Sequence, residues 1–544
     1  MGVQGRAAVR RRFLVVAFLV SAAVVADAQR RSSAIPASPD EKTIVHALNR
    51  IGFGPRPGDV ARVRQMGLAA YIDQQLNPSS IADAAMTERL ADFGTLTMST
   101  RDLAREYYLP ALMERRQAKR AQAAAAQDPE KRMQPERPTP AVRQGERLVL
   151  TELTEQKILR AAYSDRQLEE VMVDFWFNHF NVFAGKGQTR IYLTEYERDA
   201  IRPRVFGKFR DLLGAVAESP AMLWYLDNFQ SSAPETAESM GRPARRGRAA
   251  LRRPAAQPPQ QQNRRRGINE NYARELMELH TLGVDGGYTQ KDVQEVARAF
   301  TGWTIDMPRQ GGSFRFEPRM HDNGEKVVLG VKIRAGNGKR DGEQVLDILA
   351  RHPSTARFIA TKLARRFVAD EPPAALVDRA AARFRETDGD IREVVRTIIT
   401  SPEFFSASAR RAKVKTPFEY VVSAVRATNV QLGDGMAVAQ SLRQLGMPLY
   451  GCQPPTGYSD KAEAWVNTGA LLNRMNFAVS LSSGRGRGGR QQAPSSPIQV
   501  TADQISRDVL AGELSTTTVD TIAKAGNEPQ RIALLLGSPD FQKR

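Results

Sequence analysis

Two stretches of the chain carry residue types and spacings suited to acid–base or metal chemistry. The first runs from Asn269 to Trp303, NENYARELMELHTLGVDGGYTQKDVQEVARAFTGW. On a helix turning about 100° per residue, Asn271, Glu275 and Glu278 share one face, while Leu276 and His280 fall on the opposite side. Carboxylates three apart on one helix could act as an acid/base pair or bind a hard divalent ion. His280, about 140° from Glu275, could join them only from another wall of a pocket. The second stretch is Asp174 to Asn181, DFWFNHFN. Asp174, Asn178 and Asn181, at i, i+4 and i+7, make a polar stripe on an otherwise aromatic helix, with His179 beside it. Amides and carboxylates inside a core cost several kcal/mol unless something answers them.

One arrangement would answer both stretches at once. If the two helices pack together, Asp174, Asn178 and Asn181 face Asn271, Glu275 and Glu278 across a polar seam. Glu275, Glu278 and His179 are then the catalytic candidates. The substrate-binding or network candidates are Asp174, Asn178, Asn181, Asn271, Arg274, His280, His321 and Asp322. The metal, if any, is unknown; a divalent cation fits the residue types. The competing arrangement is structural: the seam is an internal hydrogen-bond network, Arg274 pairs with Glu278 one turn on, and the protein is a scaffold.

The elements that must position these groups read as helices. Ser38-Pro39-Asp40-Glu41 has the form of a helix start, and the pattern continues through Ile44, Leu48 and Ile51. His46 lies on the apolar side there and reads as a core histidine. A long helical run extends from near Glu146 to Asn181. The helix carrying Glu275 ends near Leu282-Gly283, and Thr289 caps the next one with Asp292 three residues on. After Trp303 the period changes. Residues 313–317 and 326–333 read as the two strands of one small hairpin, which puts His321 and Asp322 near its tip. The remainder is helical, apart from the Pro/Gly loop PLYGCQPPTGYS at 448–459. The fold class is therefore mainly α: a large multi-helix globular fold with one small β-hairpin and disordered basic inserts.

The 544 residues carry a net charge of +19, which suggests nucleic-acid binding until the charge is located. Residues 1–25 and the low-complexity segments 115–147, 231–267 and 481–496 account for the whole surplus. No basic face with interleaved aromatics is visible, so specific nucleic-acid recognition is not expected. The arginine runs read as solvated loops, with anionic envelope polymers as possible contacts. The start combines Arg6, Arg10, Arg11 and Arg12, an apolar run from Phe13 to Val25, and Ala26-Asp27-Ala28. This is the form of a secretory signal, by the general or the twin-arginine route, and predicts a periplasmic or extracellular protein with no membrane anchor after cleavage. Cys452 is the only cysteine, which excludes an intrachain disulfide. The expected organisation is a signal at 1–28 and a helical domain at 29–480 with inserts at 127–147 and 231–267. A linker at 481–496 and a C-terminal helical segment at 497–544, packed on the main domain, complete it.

Metalloprotease, nucleophile-elbow, phosphate-loop and dinucleotide signatures are all missing from the sequence. A family resemblance is nevertheless specific. HALNRIGFGPRPGD from His46, FWFNHFNVF from Phe175, the Asn269–Trp303 stretch, HDNGEKVVLG from His321 and HPSTARFIATKLARRFV from His352 occur in order. SPEF from Ser401, KVKTPFEYVVSAVRA from Lys413 and WVNTGALLNRMNFA from Trp465 follow. With these landmarks the chain resembles the bacterial family called domain of unknown function 1800. The resemblance implies export and a possible partner from a second family, domain of unknown function 1501, whose members resemble sulfatases. It implies no activity and no catalytic residues. Two functions stand: a hydrolase-like or metal-binding envelope protein, slightly favoured, and a non-catalytic scaffold working with the sulfatase-like neighbour.

Overall fold

A computed structural model describes residues 34–127, 140–234, 267–433, 435–483 and 498–544. The signal-like start and most of the three basic segments lie outside the described residues. Helices dominate the rest, and buried side chains from nearly all of them join one hydrophobic core. The helix Gln167–His179 is central to it, burying Leu168, Val171, Met172, Val173, Phe175, Trp176 and Phe177. Each large apolar side chain so buried contributes roughly 1.5–3 kcal/mol. Trp176 also satisfies its one donor, with Nε1 bonding the Val205 carbonyl at 3.2 Å.

The long run read from Glu146 to Asn181 is two helices, Pro140–Tyr163 and Gln167–His179. Between them the Gln167 side chain turns back to donate to the Ala161 and Ser164 carbonyls, at 3.1 and 2.8 Å. The first of these helices begins at Pro140, inside the segment read as an insert. The earliest described helix, Glu41–Ile51, is capped by Asp40 rather than Ser38, because the Asp40 carboxylate accepts from Thr43 N at 2.8 Å. The helix carrying Glu275 spans Glu270–Glu278 and closes early, with the N–H groups of Leu279 and His280 both on the Glu275 carbonyl. The capping box at Thr289 and Asp292 forms as the sequence predicts.

The single expected hairpin is instead two separate two-stranded antiparallel sheets among the described residues. Trp303–Ile305 pairs with Phe314–Phe316, and Lys326–Val328 pairs with Val331–Ile333. The cause is local. Leu329 and Gly330 both take positive φ, 49° and 79°, which closes a two-residue hairpin turn and makes 326–333 pair with itself. At the C-terminal end, Glu528–Gly537 packs on Thr468–Ser483, and Ala502–Leu510 packs against Glu41–Ile51 and Pro417–Thr428. A bridge between Val414 and Lys543 ties down the last residues.

Candidate functional site

The polar stripe of Gln167–His179 is answered, but not by the helix Glu270–Glu278. Asn178 forms a reciprocal pair with Tyr458: its Nδ2 donates to the Tyr458 carbonyl at 2.8 Å, and its Oδ1 accepts from Tyr458 N at 2.7 Å. Asn181 donates to the carbonyls of Cys452 and Pro454, at 3.0 and 2.8 Å. Asp174, the third member, pairs with Lys157 at 2.9 Å. The seam with Asn271, Glu275 and Glu278 therefore does not form. The physical reason is that the Pro/Gly loop 448–460 has backbone groups with no helix or sheet partner. Primary amides, which both donate and accept, satisfy its N–H and carbonyl groups together, and so are taken up by the loop before Glu275 and Glu278 could use them.

The loop is held from other sides as well. The hydroxyl of Tyr225 donates to the Gln453 carbonyl at 2.6 Å, that of Tyr458 to the Pro448 carbonyl at 2.8 Å, and Trp465 Nε1 to the Ser459 carbonyl at 2.8 Å. Its approach to the asparagine helix is so close that Gly457, at φ +74°, has no room for a side chain. A Cβ there would meet the Asn178 carbonyl at 2.2 Å. What remains open between Asp174, Asn178, Arg366, Glu419 and Asp460 is a cavity of about 20 Å³. That is room for about one water.

The helix Gln167–His179 instead meets the turn that follows Glu270–Glu278, through the two histidines. His179 Nε2 donates to the His280 carbonyl at 3.1 Å, and the rings lie 6.3 Å apart, both 2% exposed. Burial above all, and then the nearby Lys362 ammonium, pushes the pKa of His179 far down and that of His280 to about 3. Both rings are thus neutral near pH 7, and His179 is a poor base. Its Nδ1 and the Nε2 of His280 are left without partners. Lys362 is the group that sequence reasoning missed. Burial lowers its pKa to about 8, and its ammonium lies 5.5 Å over the Phe358 ring. The sequence gives little hint of it, since Lys362 is one of four basic residues on an amphipathic helix with Arg357, Arg365 and Arg366.

Glu275 is half-buried, and its pKa is raised by burial and then by the charge of Glu278. Glu278 accepts from the Tyr288 hydroxyl at 3.2 Å. Arg274 reaches Gln290 at 2.7 Å, in place of the expected pair with Glu278. Asn271 is exposed. His321 and Asp322 belong to a separate buried network. His321 Nδ1 donates to the Thr301 carbonyl at 2.8 Å, and its Nε2 lies 3.2 Å from Asp341. Lys326 donates to the same Asp341 oxygen at 2.6 Å, with both side chains fully buried. Asp322 holds Arg298 through two contacts, at 2.9 and 3.1 Å. This network ties the small sheet to the helix Arg340–Arg351, and Lys326 and Asp341 were not among the residues singled out from sequence.

Among the described residues, no group of three or more His, Cys, Asp and Glu side chains is placed to hold a metal ion. None of their helices is long and apolar enough to cross a membrane. The Cys452 thiol is buried, which pushes its pKa up to about 11, as suits an inert packed residue.

Fold and site together define a large helix-built protein whose stripe of asparagines fastens a long loop onto its core. The chain belongs to the family described as protein of unknown function DUF1800, whose model matches residues 46–543. No curated protein and no solved structure matches it.

Proposed function

We propose that this is an exported, non-catalytic binding protein that holds a sulfatase-like partner on the outward face of the helix Thr468–Ser483. The observation that carries this reading is that this helix, besides burying Phe477, Ala478 and Leu481, buries its charge and leaves large apolar side chains outside. Its one charged residue, Arg474, is 1% exposed, whereas Leu471, Leu472 and Val479 are 45%, 61% and 50% exposed. The arginine is drawn inward because its guanidinium bonds the Lys415 carbonyl at 2.8 Å and Gln542 at 3.3 Å. Leu472, Asn476, Val479 and Ser483 then share an exposed face with no charge on it, extended by Val466 at 48% exposure. An uncharged apolar face of this kind is characteristic of a protein–protein contact. Export rests on the arginine-rich start, the apolar run and Ala26-Asp27-Ala28.

Mixing the mature chain with the purified sulfatase-like neighbour should give a complex on size-exclusion chromatography. Leu472→Glu with Val479→Glu should abolish it, while Glu275→Ala with Glu278→Ala should leave it intact. No complex, or one that survives Leu472→Glu with Val479→Glu, or one lost in the Glu275→Ala, Glu278→Ala variant, would overturn the proposal. A hydrolase-like role is the second reading, favoured by the half-buried Glu275 with its raised pKa beside Glu278. Its test is turnover of sulfate, phosphate or glycosidic esters that disappears in a folded Glu275→Gln variant.

A further inference from the structure

At the start of the central helix Gln167–His179, a cavity of about 360 Å³ opens toward the helices Ala84–Arg89 and Pro140–Tyr163 and the turn at Arg202. The space beside Asn178, by comparison, is about 20 Å³. Small-molecule sites typically run from about 300 to 1,000 Å³, so this one admits a small solute. Its lining is mostly charged. Arg160, Arg166 and Arg202 face it together with Asp83 and Glu169, and the buried Met86 supplies apolar surface.

The three guanidiniums are not equally free. Arg202 is fully engaged, with its two terminal nitrogens on the two oxygens of Glu170 at 2.7 and 2.9 Å. Arg160 is engaged only through Nε, which donates to the Gln156 side chain at 2.9 Å. The acid beside its Nη1 is Glu170, 4.0 Å away and already held by Arg202, so neither terminal nitrogen of Arg160 makes a hydrogen bond among the described residues. Arg166 sets Nε and Nη2 on the Ile81 carbonyl, at 3.0 and 2.8 Å, which fixes the guanidinium and leaves Nη1 over. Both side chains reach open space, with 27% of Arg160 and 31% of Arg166 accessible.

The acids are left over in the same way. Glu169 accepts no hydrogen bond among the described residues, and Arg166 Nη1, at 3.9 Å, is too far away to donate one. Its side chain is 16% accessible. Burial, and then the charge of Glu170, raises its pKa, as expected of a carboxylate whose charge is poorly compensated. Asp83 takes the Ser164 hydroxyl on Oδ2 at 2.8 Å and leaves Oδ1 over. Unused donors and unused carboxylate oxygens thus share one cavity. A simple anion would meet Glu169 and Asp83 there, and a simple cation would meet the guanidiniums. A molecule with a carboxylate and an ammonium close together satisfies both sets through charge-assisted hydrogen bonds.

We propose that this cavity binds a free α-amino acid, with its carboxylate on Arg160 and Arg166 and its ammonium on Glu169 and Asp83. Such a ligand carries its two charges on one carbon. That suits the loose pair of Arg166 and Glu169, whose nearest atoms stand 3.9 Å apart and can each take a ligand group of opposite sign. A neutral polyol would bring no charge and would leave Glu169 as poorly compensated as before. The site shares no residue with the outward face of Thr468–Ser483, so the two readings stand or fall separately.

Isothermal titration of the mature chain with each standard amino acid, in L and D forms, tests this, with glucose as the neutral control. At least one amino acid should bind, at one site per chain. For the tightest of them, the N-acetyl form, which lacks the ammonium, and the methyl ester, which lacks the carboxylate, should each bind at least about tenfold more weakly. Glu169→Gln removes a charge but no hydrogen bond within the protein. It should weaken the amino acid by about tenfold or more while leaving the N-acetyl form nearly unchanged. Arg160→Met, which keeps the apolar stem, should act likewise, with the methyl ester as the ligand left unchanged. Absence of binding by every amino acid at about 10 mM, equal affinity for either blocked derivative, tighter binding of glucose, or unchanged affinity in either variant would each overturn the proposal.

Discussion

The reciprocal pair between Asn178 and Tyr458 can be cut with little change of shape. Asn178→Asp keeps an acceptor for Tyr458 N–H, held at 2.7 Å, but removes the donor to the Tyr458 carbonyl at 2.8 Å and sets carboxylate lone pairs against it. One net hydrogen bond, worth about 1 kcal/mol, is lost, and a carbonyl with poor access to water is left unpaired at a further cost of about 1–3 kcal/mol. The hydroxyl bonds of Tyr225 and Tyr458, and the amide of Asn181, still hold the rest of the loop, so the loss is local. A drop of about 2–4 kcal/mol in opening free energy corresponds to at least roughly 30-fold faster amide exchange. Hydrogen–deuterium exchange by mass spectrometry, with peptides covering 448–460, measures this directly. Unchanged rates in those peptides, or an acceleration spread evenly over the whole chain, would refute the reasoning. Gly457→Ala attacks the same contact from the loop side and should act in the same direction, since its Cβ would collide with the Asn178 carbonyl and the position has a left-handed φ.

Other outcomes follow from the buried groups. His46 and His280 have folded pKa values near 3 against about 6.5 when unfolded. The unfolded chain therefore binds protons first as the medium acidifies. Their stabilising contribution is complete above about pH 6.5 and declines toward pH 3, by about 2 kcal/mol per ring at pH 5. Urea midpoints measured from pH 8 to pH 4 should fall accordingly, and more gently in a folded His280→Leu variant; parallel profiles would refute the assignment. Asp341→Ala should destabilise by about 3–5 kcal/mol, because the fully buried Lys326 loses its carboxylate. The double variant Lys326→Met with Asp341→Leu should recover much of that loss in denaturant titrations; no recovery would show that the pair is not the cause.

Patterns confined to one helix were legible in the sequence. The 3.6-residue period gave the mainly helical fold, the cap at Thr289, and the stripe of Asp174, Asn178 and Asn181 on one face. The demand that something answer that stripe was also sound. Its partner was not legible, because Tyr458, Cys452 and Pro454 lie more than 270 residues away in sequence, and a backbone carbonyl has no residue type by which to recognise it. The pairing of Lys326 with Asp341 stayed hidden for a related reason. Neither residue looks unusual until burial removes water from both. The hairpin was misread because Asn323-Gly324 is a stronger turn signal by composition than Leu329-Gly330. The latter closes the turn nonetheless, with a leucine forced to positive φ.

The contact between the helices Glu41–Ile51 and Ala502–Leu510 bears on how the molecule is made. The first described helix packs on Asp59–Met66 and Gln167–His179, but the side beside Leu510, which carries Val45 and Asn49, is not covered until a segment some 450 residues later in sequence arrives. At a synthesis rate of about 5–20 residues per second, that wait is roughly 20–90 s. During it that side of the helix stays open to solvent or to a chaperone. Folding is thus finished from the two ends of the chain together, and a nascent chain stalled before residue 502 should remain a client of the holding machinery however complete its middle has become.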